Sequence, residues 1–101
     1  MPKFVIERDL PGAGNLSADE LRAISQKSNQ VIADLGPEIR WLQSYVAEDK
    51  LYCVYVAPDA DIIFEHARCG GFPANKVTRV ANVIDPSTGD VAERVTAKSA
   101  S

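Results

Sequence analysis

Three side chains that lie close together in the sequence have the chemistry of metal ligands. His66 is the only histidine, and its imidazole suits nickel, zinc and copper ions. Cys69 follows three residues later and Glu65 precedes Cys69 by four, spacings that bring side chains together on a helix surface. This set is too small for a closed site, so we expect a superficial metal site or one shared across a two-fold interface. The alternative is a surface histidine that interacts favourably with the helix dipole.

A second cysteine and a group of aromatic residues lie on two strand-like segments. Nucleophilic catalysis by Cys53 would need a neighbouring base, and none is identifiable, so we expect a buried thiol and no catalytic residue. The aromatic residues either pack the core and a dimer interface or line a ligand pocket with Cys53. They are Trp41, Tyr45, Tyr52 and Tyr55. Three arginines, Arg40, Arg68 and Arg79, would hold an anionic ligand or form surface salt bridges.

Composition narrows the class of protein. The chain has 101 residues, the length of one domain, and a net charge of -3 with scattered basic residues, which argues against nucleic-acid binding. No apolar run approaches the length of a membrane span, and no secretion signal is visible at the N-terminus. We therefore expect a cytoplasmic protein with no membrane partner, in which both cysteines are reduced.

The first half of the chain predicts a strand and a helix. Residues 3–8 are rich in β-branched and aromatic residues, which suits a strand. Ser17 and Glu20 form a capping-box pattern at a helix start, and Gly36-Pro37 ends that helix. Its predicted buried face contains Leu21, Ile24, Ser28, Val31, Ile32 and Leu35.

Residues 39–47 and 50–57 predict a hairpin with both faces largely apolar. If Glu48 and Asp49 form the turn between these strands, Tyr45 pairs with Tyr52 and Ser44 pairs with Cys53. Trp41 then lies on the face of Tyr45 and Tyr52. Two apolar faces need two covers, since a sheet with one face in water alternates apolar and polar residues.

The second half predicts another helix and a last strand. Asp59 suits the N-cap of this helix, and Gly70-Gly71 suits its end. The predicted buried stripe contains Ala60, Ile63, Phe64 and Ala67, and His66 lies outside it. Residues 76–84 read as the fourth strand. We assign residues 1–86 to the domain and residues 87–101 to a frayed or partner-dependent tail.

The predicted order β-α-β-β-α-β is that of an α+β, ferredoxin-like fold, with both helices on one face of a four-stranded antiparallel sheet. The helices cover one apolar face, and a second subunit would cover the other. We therefore expect a homodimer of the dimeric α-β barrel type.

Three segments, PKFVIERDLPGAGNLSADELRAISQKSN, WLQSYVAEDKLYCVYVAPD and EHARCGGFPANKV, resemble a family of small bacterial proteins. This family, formerly a domain of unknown function, is described as nickel-responsive or nickel-binding. The resemblance extends from about residue 2 to Pro86. It implies a ferredoxin-like homodimer that binds Ni²⁺ at its surface.

The leading hypothesis is therefore a non-enzymatic, dimeric, metal-binding protein that responds to nickel. The alternative is a small-molecule-binding or catalytic protein with a pocket between the sheet and the second helix. A third hypothesis is a structural or regulatory interaction module, which the absence of a catalytic constellation favours.

Overall fold

The computed structural model describes residues 1–90. A four-stranded sheet contains β1 (Lys3–Asp9), β2 (Arg40–Val46), β3 (Lys50–Val56) and β4 (Lys76–Arg79). The helices are α1 (Ala18–Leu35), between β1 and β2, and α2 (Ala60–Gly70), between β3 and β4. The strand order is β2-β3-β1-β4 and every neighbouring pair is antiparallel. This arrangement confirms the predicted ferredoxin-like α+β fold.

Both helices begin and end as their sequences predict. The Glu20 backbone N–H donates to Ser17 Oγ at 3.1 Å, and the Ser17 N–H donates to Glu20 Oε1 at 2.9 Å, which completes the capping box of α1. The Ile62 N–H donates to Asp59 Oδ1 at 3.2 Å at the start of α2. Gly71 ends α2 with φ of 69°, a left-handed conformation that favours glycine.

The core lies between the helices and one face of the sheet. Alternate residues of β1 and β3 point into it, because side chains on a strand alternate between faces. Buried apolar residues include Phe4, Ile6, Cys53, Tyr55 and Ile63. The alternation in β1 also carries Arg8 into the interior, where it is only 3% exposed.

The hairpin register agrees with the prediction at its turn but not at its far end. Tyr45 pairs with Tyr52 and Ser44 with Cys53, as expected. A bulge between Trp41 and Gln43 inserts an extra residue, so Trp41 pairs with Tyr55. The bulge therefore moves Trp41 to the helix-covered face, and its predicted place on the face of Tyr45 and Tyr52 is wrong.

Two further details of the prediction are wrong. The strand predicted over residues 76–84 ends at Arg79, and Val83 and Ile84 beyond it are exposed. Phe64, predicted to be buried, is 50% exposed, because α2 instead turns Ile63, His66 and Ala67 inward. The 3₁₀ turn at Pro86–Gly89 includes the first residues of the predicted tail, 87–89, and residues 91–101 lie outside the described part of the chain.

Candidate functional site

His66 lies in the interior, contrary to its predicted surface position. Its side chain is 1% exposed and packs among aromatic rings, with centroids 5.1 Å from Tyr55 and 5.5 Å from Phe72. Its Nε2 atom lies 3.1 Å from the Oγ atom of Ser28, on the buried face of α1. This hydrogen bond explains how a polar side chain can occupy the buried stripe of α2.

The surroundings of His66 favour the neutral imidazole. Burial is the main cause that lowers the pKa of His66 to about 4, and the positive charge of Arg8 lowers that pKa further. The backbone of Ser28 opposes both effects on this pKa. His66 is therefore uncharged at neutral pH, and its Nδ1 atom is buried without a hydrogen-bond partner in the described chain.

The other two predicted metal ligands do come together, on the exposed side of α2. The Cys69 thiol donates to Glu65 Oε2 at 3.5 Å. Arg68 also binds the Glu65 carboxylate, with Nε donating to Oε1 at 3.2 Å. Arg68 first, and then the Cys69 hydrogen bond, lower the pKa of Glu65, so this carboxylate is ionised at neutral pH.

The predicted triad is thus divided between the two sides of α2. Residues 65 and 69 are one helical turn apart and share the outer side, whereas His66 faces the core. Among residues 1–90, no three His, Cys, Asp or Glu side chains are grouped so that they would hold a metal ion. The described residues of one chain therefore do not fit a complete nickel site.

A second candidate site surrounds Arg8. Its Nη1 donates to the carbonyl oxygen of Pro73 at 2.6 Å, and its guanidinium carbon lies 5.5 Å from the Phe72 centroid and 6.0 Å from the Tyr55 centroid. Its Nη2 atom is buried and has no hydrogen-bond partner within the described residues. No acidic side chain of residues 1–90 forms an ion pair with Arg8.

Arg8 forms part of the wall of a half-open cavity of about 70 Å³ between the sheet and α1. Of the residues predicted to line a pocket, Trp41, Cys53 and Tyr55 do so. Tyr45 and Tyr52 do not, since they pair with each other on the opposite face of the sheet. The cavity lies beside the first helix rather than the second, with Leu21, Ile24 and Ser28 of α1 in its wall.

Three residues of this site, Arg8, Ser28 and Phe72, were not predicted from the sequence. The alternation of β1 was the available signal for Arg8, because Phe4, Ile6 and Arg8 must share one face. The three arginines considered for anion binding, Arg40, Arg68 and Arg79, are all exposed. The two cysteines are free, with Cys53 buried and Cys69 exposed.

A protein-family model described as nickel responsive protein SCO4226-like matches residues 4–80. The chain belongs to the SCO4226-like family. This match confirms the family resemblance inferred from the three sequence segments. None of the curated proteins matches the chain.

Among solved structures, the crystal structure of SCO4226 from Streptomyces coelicolor A3(2) is similar to this SCO4226-like chain. It superposes with a TM-score of 0.69 at 19% sequence identity, over 81% of this chain and 99% of the other. At this identity the likeness supports the ferredoxin-like fold. Within residues 1–90, neither helix combines the length and apolar character needed to cross a membrane.

Proposed function

We propose that this SCO4226-like protein is a non-enzymatic, metal-binding homodimer that responds to nickel. Membership of the nickel responsive family over residues 4–80 is the observation that carries the proposal. A binding role is also consistent with the surface chemistry of α2, where a thiol and an ionised carboxylate lie within 3.5 Å.

Cys69 and Glu65 are the metal ligands that this proposal names. Sulfur and oxygen donors of this kind bind divalent transition metals. Cys69 is exposed, and Glu65 is half-buried with its side chain 43% exposed. Two donors from one chain do not complete a site, and Arg68 competes for the carboxylate. We therefore propose a superficial site in which water molecules complete the coordination, because the outer side of α2 faces away from the sheet.

The face of the sheet turned away from the helices supports the proposed homodimer. Val5 pairs with Val54 at its centre, and both are half-buried, as is Val56. Tyr45, at 59% exposure, extends this apolar surface, whereas Lys50 and Glu7 form an ion pair at 3.3 Å towards one end. An apolar centre with a polar end is typical of a surface that associates with another subunit.

Calorimetric titration of tag-free protein with Ni²⁺, Zn²⁺ and Cu²⁺ tests the metal proposal. We expect saturable Ni²⁺ binding with one ion per chain, and loss of that binding in Cys69→Ala and Glu65→Gln. Asp61→Asn is the matched control, because it removes an exposed carboxylate from the same helix without touching the pair. Absence of saturable Ni²⁺ binding by the unmodified protein would refute the proposal.

Sedimentation equilibrium tests the dimer independently of the metal. We expect a dimer at micromolar concentration, and a monomer for Val54→Glu, which places a charge at the centre of the open sheet face. Phe64→Glu, which replaces an exposed apolar residue on α2, should leave the dimer intact. A monomeric unmodified protein, or a Val54→Glu variant that still dimerises with full affinity, contradicts the assignment of this face.

A further inference from the structure

The Arg8 guanidinium is a buried cation without an anionic partner among residues 1–90. Its residue is 3% exposed, and the ion pairs of residues 1–90 all involve other side chains. One of its nitrogens binds the Pro73 carbonyl, and another, Nη2, has no hydrogen-bond partner in the part of the chain that the structure describes. Burial of an uncompensated charge opposes folding. An anion that is not part of the described chain would compensate the charge of Arg8.

The cavity beside Arg8 offers an apolar surface to such an anion. Its wall is formed mainly by apolar side chains of α1, β2 and β3, among them Leu21, Ile24, Trp41 and Leu51. Its volume of about 70 Å³ exceeds the space that one water molecule needs. A closed apolar cavity of about 150 Å³ accommodates the six carbon atoms of benzene. The cavity beside Arg8 has about half that volume and holds about three carbon atoms, and its open side leaves room for a fourth.

A hydroxyl group supplements the guanidinium at this cavity. Tyr55 lines the cavity, and its OH lies 3.4 Å from Ser28 Oγ, which in turn binds His66 Nε2. Burial raises the pKa of Tyr55, so the phenol keeps its proton and can donate a hydrogen bond. His66 is neutral, and the site therefore presents one positive charge.

We propose that this cavity binds a small organic monocarboxylate, with its carboxylate on Arg8 and Tyr55 and its apolar body against α1. A planar carboxylate matches the guanidinium fork, and a single negative charge matches the single cation. The apolar wall disfavours a strongly hydrated dianion such as phosphate. Because Nη2 is shielded from solvent, binding requires movement of the half-buried Phe72 ring, which lies near the guanidinium.

This proposal is independent of the nickel proposal, and its test uses tag-free, metal-free protein in the presence of a chelator. The probe is 3-methylbutanoate, followed by two-dimensional NMR of the ¹⁵N-labelled full chain. We expect saturable shifts at the Trp41 indole and at residues of α1. The uncharged analogue of the same shape, 3-methylbutanamide, and inorganic phosphate should bind at least about tenfold more weakly.

Three variants locate the site. Arg8→Met, which keeps the side-chain length without the charge, should weaken binding of the acid at least about tenfold. Tyr55→Phe, which removes only the hydroxyl, should weaken it about threefold or more. Arg79→Met, which removes an exposed arginine from the same sheet, should bind as the unmodified protein does.

The comparison of the acid with the amide uses the unmodified chain, so it remains informative if a variant fails to fold. Equal binding of acid and amide, or no saturable binding of the acid, would overturn the proposal. Undiminished binding by folded Arg8→Met would overturn it as well. Each of these results would leave the metal and dimer proposals untouched, because no metal is present and the open face of the sheet is not altered.

Discussion

The Oγ atom of Ser28 and the Nε2 atom of His66 lie 3.1 Å apart and connect the two helices through a buried hydrogen bond. Each residue satisfies a polar atom of the other in an otherwise apolar interface. The pair explains the inward orientation of His66, and it lies next to Tyr55 in the wall of the Arg8 cavity.

The burial of His66 predicts that stability falls as the solution becomes acidic. The unfolded chain binds a proton on His66 below about its ordinary pKa of 6.5, whereas the folded chain binds it only below a pKa of about 4. Between these values the unfolded state holds more protons, so the free energy of unfolding decreases as pH falls. The neutral state of His66 therefore contributes about 3 kcal/mol to the free energy of unfolding at pH 7, and this contribution is lost as the pH falls to about 4.

Urea denaturation at several pH values between 4 and 7 measures this effect. Asp and Glu carboxylates begin to titrate in the same range, so the comparison is with His66→Gln, whose side chain does not titrate. As the pH falls, the free energy of unfolding should decrease more steeply for the unmodified protein than for His66→Gln. Identical pH dependence in the two proteins would show that His66 does not carry the effect.

Removal of the Ser28 hydroxyl should destabilise the fold. Ser28→Ala leaves His66 Nε2 buried without its partner, which costs about 1–3 kcal/mol. The Ser28 backbone, which opposes the lowering of the His66 pKa, is unchanged in the variant, so that pKa should stay at about 4. Ser25→Ala is the matched control, since Ser25 Oγ donates to the Leu21 carbonyl one turn earlier on α1. Chemical denaturation and NMR titration of the imidazole check both expectations.

Gly70 should not tolerate alanine, although alanine favours helices. A Cβ atom at this position would overlap the Phe72 ring, so the ring must move away from its contacts with His66 and Arg8. Overpacking of this kind costs about 1–3 kcal/mol and exceeds the gain in helix propensity of about 1 kcal/mol. Gly89→Ala, with no atom within 4 Å of the new Cβ, should be neutral by thermal denaturation.

Arg8→Met should leave the fold as stable as before or more stable by up to about 2 kcal/mol. Replacement of a buried charge by an apolar side chain of similar length removes a desolvation penalty. Urea denaturation of Arg8→Met beside Arg79→Met measures the difference. A large loss of stability in Arg8→Met alone would mean that Arg8 is retained for folding rather than for a ligand.

The two cysteines should differ in reactivity towards a thiol reagent. Cys69 is exposed and should react rapidly in the native protein, whereas Cys53, at 4% exposure, should react only on unfolding. Cys69→Ser should remove the rapid phase, and Cys53→Ser should keep it. Protection of Cys69 by Ni²⁺ would agree with the proposed metal ligand, and rapid reaction of both thiols would contradict the burial of Cys53.

The helices and strands, their order and the family were all predictable from local sequence patterns. Caps and turns are local, so the Ser17–Glu20 capping box and the turn between Tyr45 and Tyr52 follow from a few neighbouring residues. The same local signals assign residues 1–86 to one domain, a division that stays a prediction. The ferredoxin-like order then follows from these elements.

The burial of particular polar side chains, by contrast, depends on contacts between distant parts of the chain. Residues 63, 66 and 67 have helical spacing, but a pattern that counts apolar residues favours Phe64 over His66. His66 occupies the interior because Ser28, 38 positions earlier, provides a partner that no local pattern reveals. The bulge at Trp41 and the burial of Arg8 likewise depend on neighbouring strands and aromatic rings, which fold together from distant parts of the chain.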